Sequence, residues 1–418
     1  MTMSMSTTDL DLREILQRGL VRCVYQPIVH LETGEVVGYE ALARGPQGTD
    51  LERPDQLFGA ARSQGLLAEL DWACRTAALR GALEAGMDKR TLLFINVEPD
   101  VPSSEAPEDH VPVWTAAAER LRVVFEITER AATSRAAELV TNIHRLREIG
   151  WGAALDDVGV DPRSLAMLPF IAADVVKLDM SLVQGRTTLE IARTVHAVEA
   201  ESERSGTLVV AEGIETHVEY ATAIALGATL GQGWLFGKPG PLPALIPAPN
   251  VQVELPQLDV PPVEKTPFAL IEPARPTKTG TKAILLTMSR QLEEQALSLG
   301  DTPVVLATFQ EAERFSPATA RRYEQLASRV ALVGALGVGM SPEPVPGVRG
   351  ATMSPDDPLR GEWVVAVVGA HFAAAFAAAD LGDSGPDMER RFTYAVTHDR
   401  DLVLHMARSL MSRLDHDH

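Results

Sequence analysis

Short apolar runs alternate with stretches of helical periodicity through the first half of the chain. Apolar runs rich in β-branched residues predict buried strands, while apolar positions three and four apart predict amphipathic helices. The predicted strands are 21–28, 36–43, 92–97, 123–127, 152–155, 175–178, 208–211 and 230–236, and the predicted helices are 53–64, 71–85, 134–149 and 187–205. Such alternation requires crossover connections and a largely parallel sheet, and eight strands fit a (β/α)8 TIM-like barrel.

The pattern changes after residue 239, where prolines crowd together without periodicity up to residue 276. Proline fixes φ and lacks a backbone donor, so this stretch predicts an extended, semi-rigid linker. The expected organisation is a barrel over residues 1–239, a proline-rich linker over 240–278 and a smaller α/β domain over 279–418.

In the smaller domain, the pattern predicts strands at 303–309, 330–334 and 362–368. Helices are predicted at 281–299, 317–329 and 399–414, and also at the alanine-rich stretch 371–379, because alanine has the highest helix propensity. The histidines His371, His398 and His405 are too scattered to predict a metal site in this domain.

Composition narrows the classes of partner. The 418 residues carry a formal charge of −19, which argues against a nucleic acid polymer or an anionic membrane surface as a partner. No apolar run is long enough to span a bilayer, and the polar, acidic N-terminus is unlike a secretory signal. Two cysteines, Cys23 and Cys74, suit a reducing compartment, so a cytoplasmic protein is expected.

Polar side chains stand at or just after the ends of the predicted barrel strands. They are Glu40, Asn96, Glu126, Asp156, Asp157, Lys177, Glu212 and Gln232. A single carboxylate at a strand end is usually a helix cap or a solvated loop residue. A series of them around one barrel indicates a site, because strand ends converge at the catalytic face of this fold. Buried carboxylates without partners are costly, so such a cluster requires cations.

The ligand types select the metal. Carboxylate and amide oxygens without histidine or cysteine favour Mg²⁺ or Mn²⁺ over Zn²⁺. Adjacent aspartates at one strand end, Asp156 and Asp157, indicate a second ion bridged by Asp156. Two metals about 3.5–4 Å apart suit the activation of a water and in-line phosphoryl displacement. Lys177 is expected to orient that water and to offset the developing negative charge.

Eight ordered sequence runs in the first 240 or so residues resemble EAL-domain cyclic di-GMP phosphodiesterases. The runs are Tyr25-Gln-Pro-Ile28, Tyr39-Glu-Ala-Leu-Ala-Arg44, Phe94-Ile-Asn-Val-Glu-Pro99, Phe125-Glu-Ile-Thr-Glu129, Leu155-Asp-Asp157, Val176-Lys-Leu-Asp179, Ala211-Glu-Gly-Ile-Glu-Thr216 and Gly231-Gln-Gly233 with Gly237-Lys-Pro239. Any one run is weak evidence, but the ordered set is specific.

The resemblance implies hydrolysis of cyclic di-GMP to linear 5′-pGpG with two divalent cations, Mg²⁺ or Mn²⁺, and pairing of barrels into a homodimer. It implies metal ligation by Glu40, Asn96, Glu126, Asp156 and Asp157, and completion of the catalytic environment by Lys177, Glu212 and Gln232. It further implies substrate contacts from Gln26, Leu42, Arg44 and Asp179, and loop support from Glu129 and Glu215.

One loop departs from the family pattern. Active members commonly have Asp-Asp-Phe-Gly-Thr/Ser-Gly after the fifth strand, whereas Val158, Val160 and Asp161 replace the aromatic, hydroxyl and final glycine positions here. A lost glycine matters if the backbone there needs positive φ. The complete metal set favours an active enzyme. The altered loop favours the alternative, a catalytically impaired cyclic di-GMP receptor or interaction module. A weaker alternative is a barrel enzyme that uses Mg²⁺ for enolate chemistry.

The second domain resembles the DICT sensory domain over loosely matching stretches, which are 304–309, 315–326 and 362–365. The resemblance implies a regulatory module beside the barrel. Neither its signal nor the sign of its effect follows from these residues.

Overall fold

The computed structural model of the chain describes residues 10–98, 107–128, 142–143, 145–186, 188–256 and 265–414. Glu129 and most of the helix predicted at 134–149 lie outside these residues. The first half of the chain forms a closed eight-stranded barrel, as predicted. Its strands are β1 (Arg22–His30), β2 (Val36–Arg44), β3 (Leu92–Asn96), β4 (Arg122–Thr128), β5 (Gly152–Val158), β6 (Val175–Leu178), β7 (Leu208–Ala211) and β8 (Leu230–Gln232).

The strand β1 departs from the parallel arrangement, since it runs antiparallel to both β2 and β8 while β2 to β8 are parallel to one another. Only residues 31–35 separate β1 from β2. A parallel pair requires a crossover of a dozen or more residues, so this connection is restricted to a hairpin. The hairpin places Gln26 directly opposite Glu40.

Helices surround the described part of the barrel. They are α1 (Leu12–Gln17), α2 (Pro54–Gln64), α3 (Leu67–Glu84), α4 (Val111–Arg120), α5 (Leu168–Ile171), α6 (Met180–Gln184), α7 (Leu189–Ser205) and α8 (His217–Ala225). Local sequence explains several helix ends: α2 starts at Pro54 and stops at Gly65, whose φ of 67° suits glycine, and α8 starts with a capping box between Thr216 and Glu219. The strand predicted at 230–236 ends at Gln232, because the chain turns at Gly233 against the backbone of Ile214.

The start of the predicted linker closes one end of the barrel. Val253 is buried in the same cluster as Ile28, Phe94 and Val210. The guanidinium of Arg122 donates a hydrogen bond to the Val253 carbonyl. The backbone N–H groups of residues 250 and 251 donate to the Glu35 carboxylate, which lies in the turn between β1 and β2. This part of the linker is therefore packed as barrel core.

The second domain contains a seven-stranded mixed sheet in the order β12-β11-β10-β13-β14-β15-β9. Its strands are β9 (Lys278–Thr281), β10 (Val304–Glu311), β11 (Leu332–Val338), β12 (Val348–Thr352), β13 (Glu362–Val368), β14 (Ala373–Asp380) and β15 (Arg391–Thr397). Its helices are α9 (Pro267–Ile271), α10 (Lys282–Ser298), α11 (Pro317–Ala327) and α12 (Arg400–Met411). Thus α9 forms inside the range predicted as linker, and β9 begins at its last residue.

The helix predicted at 371–379 is wrong, because this segment is the strand β14. It pairs with β13 on one side and β15 on the other, and residues from Ala373 to Ala378 are buried. Helix propensity is a weak preference that tertiary contacts override. Alternate residues of β14 pack into different core clusters, with Ala375 on one face and Phe376 on the other. Both faces are covered, which accounts for a strand without polar alternation.

The two domains share a packed interface. Val403 and Leu410 of α12 belong to the same core cluster as Phe170 and Ile171 of the barrel helix α5. The buried guanidinium of Arg408 donates a hydrogen bond to the Pro169 carbonyl at 2.7 Å. This contact joins α12 to the helix that follows the loop after β5. No helix among the described residues is long and apolar enough to cross a membrane.

Candidate active site

The barrel brings the predicted strand-end residues into one cluster. Glu40, Glu126, Asp156, Lys177 and Gln232 are buried in it, Glu212 is half-buried, and Asn96 and Asp157 are exposed. They lie on seven strands or immediately after them: Glu40 on β2, Asn96 on β3, Glu126 on β4, Asp156 and Asp157 on β5, Lys177 on β6, Glu212 after β7 and Gln232 on β8. Parallel strands point their carboxyl ends in one direction, so the closed barrel collects these side chains at one mouth.

Lys177 is the centre of the cluster, and its side chain is 1% exposed. Its ammonium lies 2.5 Å from Glu126, 2.7 Å from Glu212, 3.1 Å from Asp156 and 3.7 Å from Glu40. One cation therefore faces four carboxyl groups. Burial alone would lower the pKa of Lys177, but the surrounding carboxylates, led by Asp156, raise that pKa well above its usual range.

Glu40 is held by amide groups as well as by Lys177. Asn96 Nδ2 donates to one Glu40 oxygen at 2.9 Å, and Gln232 Nε2 donates to the other at 2.6 Å. Gln232 also donates to Gln26 at 3.1 Å, and Gln26 donates to the Gly237 carbonyl at 3.2 Å. These bonds orient the Glu40 carboxylate. Burial opposes ionisation of Glu40, but Lys177 and the amides outweigh it and lower the pKa of Glu40.

The remaining carboxyl groups of the cluster, if ionised, carry more negative charge than Lys177 can neutralise. Burial, followed by repulsion from Glu40, raises the pKa of Glu126 well above its usual range. Burial and the proximity of Asp156 raise the pKa of Asp157, and burial raises the pKa of Glu212 against the attraction of Lys177. The cluster thus needs positive charge beyond Lys177 if all its carboxyl groups are to ionise.

The donor set fits divalent cations. Within the described chain, Lys177 is the only cation in contact with Glu126 and with Oδ1 of Asp156, and Glu126 otherwise meets the carboxyl group of Glu40. Oxygens of Asp156, Asp157 and Glu212 all lie within 4.8 Å of one another. These hard oxygen ligands suit Mg²⁺ or Mn²⁺.

The altered loop after β5 retains its strained backbone positions. Positive φ occurs at Asp157 (58°) and at Gly159 (111°), and Asp161 is absent from the positive-φ residues of the described chain. Val158 is fully buried as the last residue of β5, while Val160 is 64% exposed. The glycine replaced by Asp161 is therefore not needed for backbone geometry at this position.

A partly open cavity of about 220 Å³ adjoins the cluster at Asn96. Leu42 and Arg44 line it at the end of β2, and Thr128 lines it at the end of β4. Arg44 donates to the carbonyl of Ala43 at 2.8 Å. Its guanidinium thus lies beside the acidic cluster in a space that admits a small molecule.

Other predicted residues lie around the cluster. Asp179 caps α6 by accepting a hydrogen bond from the Ser181 N–H at 2.9 Å. Its charge adds to burial and to the charge of Asp156 in raising the pKa of Asp157. Glu215 is exposed, and its backbone N–H donates to Glu219 at 2.7 Å. Glu129 lies outside the described residues.

Sequence reasoning missed a buried ion pair behind the cavity. Asp71 of α3 is 1% exposed, pairs with Arg75 one turn later and accepts the Glu98 N–H at 3.1 Å. Arg75 also stacks over Trp72 at 4.2 Å. The pair fixes the backbone just after Asn96. The sequence signal that could have revealed this ion pair is an Asp and an Arg four residues apart on an otherwise apolar helix face.

Comparison with known proteins identifies both parts of the chain. The family model described as the EAL domain matches residues 9–239, which is more than half of the chain. A second model, described as a sensory domain in diguanylate cyclases and two-component systems (DICT), matches residues 269–381.

Two curated relatives come from Pseudomonas aeruginosa. Cyclic di-GMP phosphodiesterase NbdA is 32% identical over 245 residues, covering 56% of this chain and 31% of that protein. Cyclic di-GMP phosphodiesterase RocR is 30% identical over 238 residues, covering 54% of this chain and 59% of that protein. This chain therefore matches less than two thirds of either relative.

Among solved structures, the PaMucR phosphodiesterase in a c-di-GMP complex is 29% identical with a TM-score of 0.47, covering 55% of this chain and 96% of that one. The closed barrel, the acidic strand ends and the match over residues 9–239 lead to one assignment. The chain belongs to the EAL domain family.

Proposed function

We propose that the barrel hydrolyses one phosphodiester bond of cyclic di-GMP and releases linear 5′-pGpG. The convergence of four carboxyl groups on the buried Lys177 carries this proposal, because the cluster is short of positive charge. A metal-dependent phosphodiesterase needs such a set of oxygen ligands beside a phosphate-binding cavity. The similarity to two cyclic di-GMP phosphodiesterases supports the choice of substrate.

Two divalent cations, Mg²⁺ or Mn²⁺, are the proposed cofactors. Glu40, Asn96, Glu126 and Asp156 would hold one of them, and Asp156 and Asp157 would hold the other. When bound, the cations supply the positive charge that activates water and stabilises the leaving oxygen of a phosphodiester. The poorly satisfied oxygens of Glu126 and Asp156 support this assignment.

The remaining residues of the cluster position groups and protons. Lys177 holds Glu126 and Glu212 in place and stabilises negative charge that develops beside them. Glu212, whose pKa is raised mainly by burial, is suited to take up a proton at the mouth of the barrel. Gln232 fixes the orientation of Glu40. Glu129 and Glu215 are proposed to support the surrounding loops.

Four residues are proposed to contact the substrate. Arg44 presents a planar guanidinium suited to a phosphate, and Leu42 contributes an apolar wall to the same cavity. Gln26 stands between Gln232 and Gly237, where it would face the guanine and ribose region. Asp179 lies beside Asp157 on the opposite side of the mouth.

The second domain is proposed to regulate the barrel. Its helix α12 contacts α5 through Arg408 and Pro169, and α5 follows the loop that begins just after Asp157. A signal that moves α12 would reach that loop through a short packed path. We also propose that the protein forms a homodimer through the barrel. We further propose a cytoplasmic location, which the two free cysteines support.

The test is chromatography of cyclic di-GMP incubated with the full chain in Mg²⁺, Mn²⁺ or EDTA. We expect pGpG with either metal and none with EDTA. Glu40→Gln, which keeps the side-chain volume, should abolish turnover, whereas Glu32→Gln on an exposed turn should not. Binding of cyclic di-GMP by a folded wild-type protein without product would refute the enzyme and favour the receptor. Absence of both binding and turnover would refute the proposed substrate.

A further inference from the structure

The second domain contains a cavity that the proposed hydrolysis does not use. It is a partly open cavity of about 80 Å³ between α10, α11 and one face of the sheet. Like small-molecule sites in other proteins, it combines apolar walls with a few polar groups. The residues matched by the sensory-domain model include most of its lining, but the match assigns no ligand.

Aromatic rings form its walls. Phe309 meets Tyr323 edge to face with ring centres 5.2 Å apart, and Trp363 meets Phe392 similarly at 5.9 Å. All four residues line the cavity, and Trp363 is only partly buried there. Walls of this kind favour a planar aromatic ligand, because rings offer both faces and edges for stacking.

The backbone bends to direct a polar side chain to this cavity. Gln310 has a positive φ of 61° at the point where the pairing of β10 with β11 shifts register. Regular alternation along β10 would send Gln310 to the face opposite Phe309, yet both residues line the cavity. A non-glycine residue at positive φ costs about 1 kcal/mol or more, so this orientation is held by its surroundings.

The charges of the lining leave one cation available. The buried Glu293 is satisfied by Arg322 and by the Tyr323 hydroxyl, which donates at 3.0 Å. Lys282 lies 2.5 Å from Asp387. By contrast, Arg314 donates to the neutral Gln310 amide, and no ion pair within 4.0 Å is found for it in the described chain.

The carboxylate of the neighbouring Glu311, which interacts with Arg314 over a longer distance, is already engaged. Glu311 interacts electrostatically with Arg314, but it is ion-paired with Arg360 at 3.0 Å. Arg314 therefore retains capacity for an anion at the cavity mouth, in a chain whose overall charge is −19.

We propose that this cavity binds a planar aromatic molecule carrying one acidic group. The ring would stack among Phe309, Trp363 and Phe392, and the acid would pair with Arg314 beside the Gln310 amide. The satisfied state of Glu293 disfavours a cationic ligand, because that carboxylate already accepts from Arg322 and Tyr323.

Calorimetric titration of the full chain with three aromatic acids tests this proposal: benzoate, 2-naphthoate and indole-3-acetate, each beside its uncharged amide. We expect at least one acid to bind with Kd below about 1 mM and more tightly than its amide. Failure of all three acids to bind the folded chain in that range would overturn the proposal, and so would equal affinity for acid and amide.

Matched variants locate the binding. Arg314→Met should weaken the acid about tenfold and leave the amide unchanged, since only the charge contact is lost. Arg321→Met, on the exposed side of α11, should change neither. Trp363→Leu should weaken both compounds. Circular dichroism melting shows that each variant is folded, and unchanged acid affinity in folded Arg314→Met would place the site elsewhere.

Discussion

The cavity beside the barrel cluster and the cavity of the second domain differ in the side chains that line them. The barrel mouth gathers carboxyl groups around Lys177 and is short of positive charge. The cavity of the second domain is walled by rings such as Trp363, and its buried carboxylate Glu293 is already satisfied. The first site is therefore dominated by charge, whereas the second is dominated by aromatic surface with Arg314 among its lining residues.

The largest effect is expected where charge alone holds the site together. Lys177→Met should reduce turnover of cyclic di-GMP by about 10²–10³-fold, because a preorganised charge is lost from the reacting centre. It should also lower the melting temperature in EDTA, since four carboxyl groups then face one another without a cation. Chromatography and thermal melting measure the two effects.

Lys89→Met is the control for that experiment, because Lys89 is exposed and precedes the start of β3, at the opposite end of that strand from Asn96. Mg²⁺ should restore more stability to Lys177→Met than to this control. Turnover by Lys177→Met within tenfold of wild type would show that charge at this position does not govern the barrel site.

The next largest effect is expected at the interface between the barrel and the second domain. Arg408→Met should destabilise the chain by about 1–3 kcal/mol, because the buried Pro169 carbonyl loses its donor. Denaturant unfolding measures this change. Arg360→Met removes an exposed ion pair and should cost less than about 1 kcal/mol. Equal costs for the two variants would mean that the Arg408 contact contributes little to domain docking.

The next prediction concerns the pH dependence of stability, and it involves the second domain alone. Its size should be similar to that of the Arg408→Met effect or smaller. Glu362 is 6% exposed, and burial raises its pKa from 4.5 to about 6, although the Phe268 N–H donates to it at 2.8 Å. The folded state thus binds this proton more tightly than the unfolded state. The contribution of Glu362 to the free energy of unfolding is fully present below pH 4.5 and is lost as pH rises through about 6.

Glu362→Gln removes that titration. Relative to wild type, the variant should gain about 2 kcal/mol of unfolding free energy between pH 4 and pH 7.5, which is 1.36 kcal/mol for each pH unit of the shift. Urea unfolding at both pH values gives the difference. A constant difference across this range would contradict the raised pKa. The barrel's turnover should not change.

The smallest effect is expected in the altered loop. Asp161→Gly restores the family residue, but the backbone at Asp161 does not have positive φ. Stability should change by less than about 0.5 kcal/mol, and turnover should remain within twofold. A large gain in turnover would show that this loop, rather than the charged cluster, limits the barrel.

The barrel and its charged cluster were predictable because strand periodicity and strand-end carboxylates are local signals. The antiparallel direction of β1 could also have been predicted, because residues 31–35 are too few to form a crossover connection. The strand β14 could not be predicted from the sequence, because its alanines adopt strand geometry only through pairing with β13 and β15. The cavity at Arg314 was also hidden, since Phe309 and Trp363 meet there from distant parts of the sequence.

The packing of Val253 beneath Phe94 has a consequence for how sensory domains are exchanged during evolution. The family match ends at residue 239, yet the floor of the barrel is completed by residues beyond it. A recombination event at residue 239 would deliver a barrel open to water at its base. Any new partner domain must therefore be joined after Val253, or must bring its own apolar residue to fill that space.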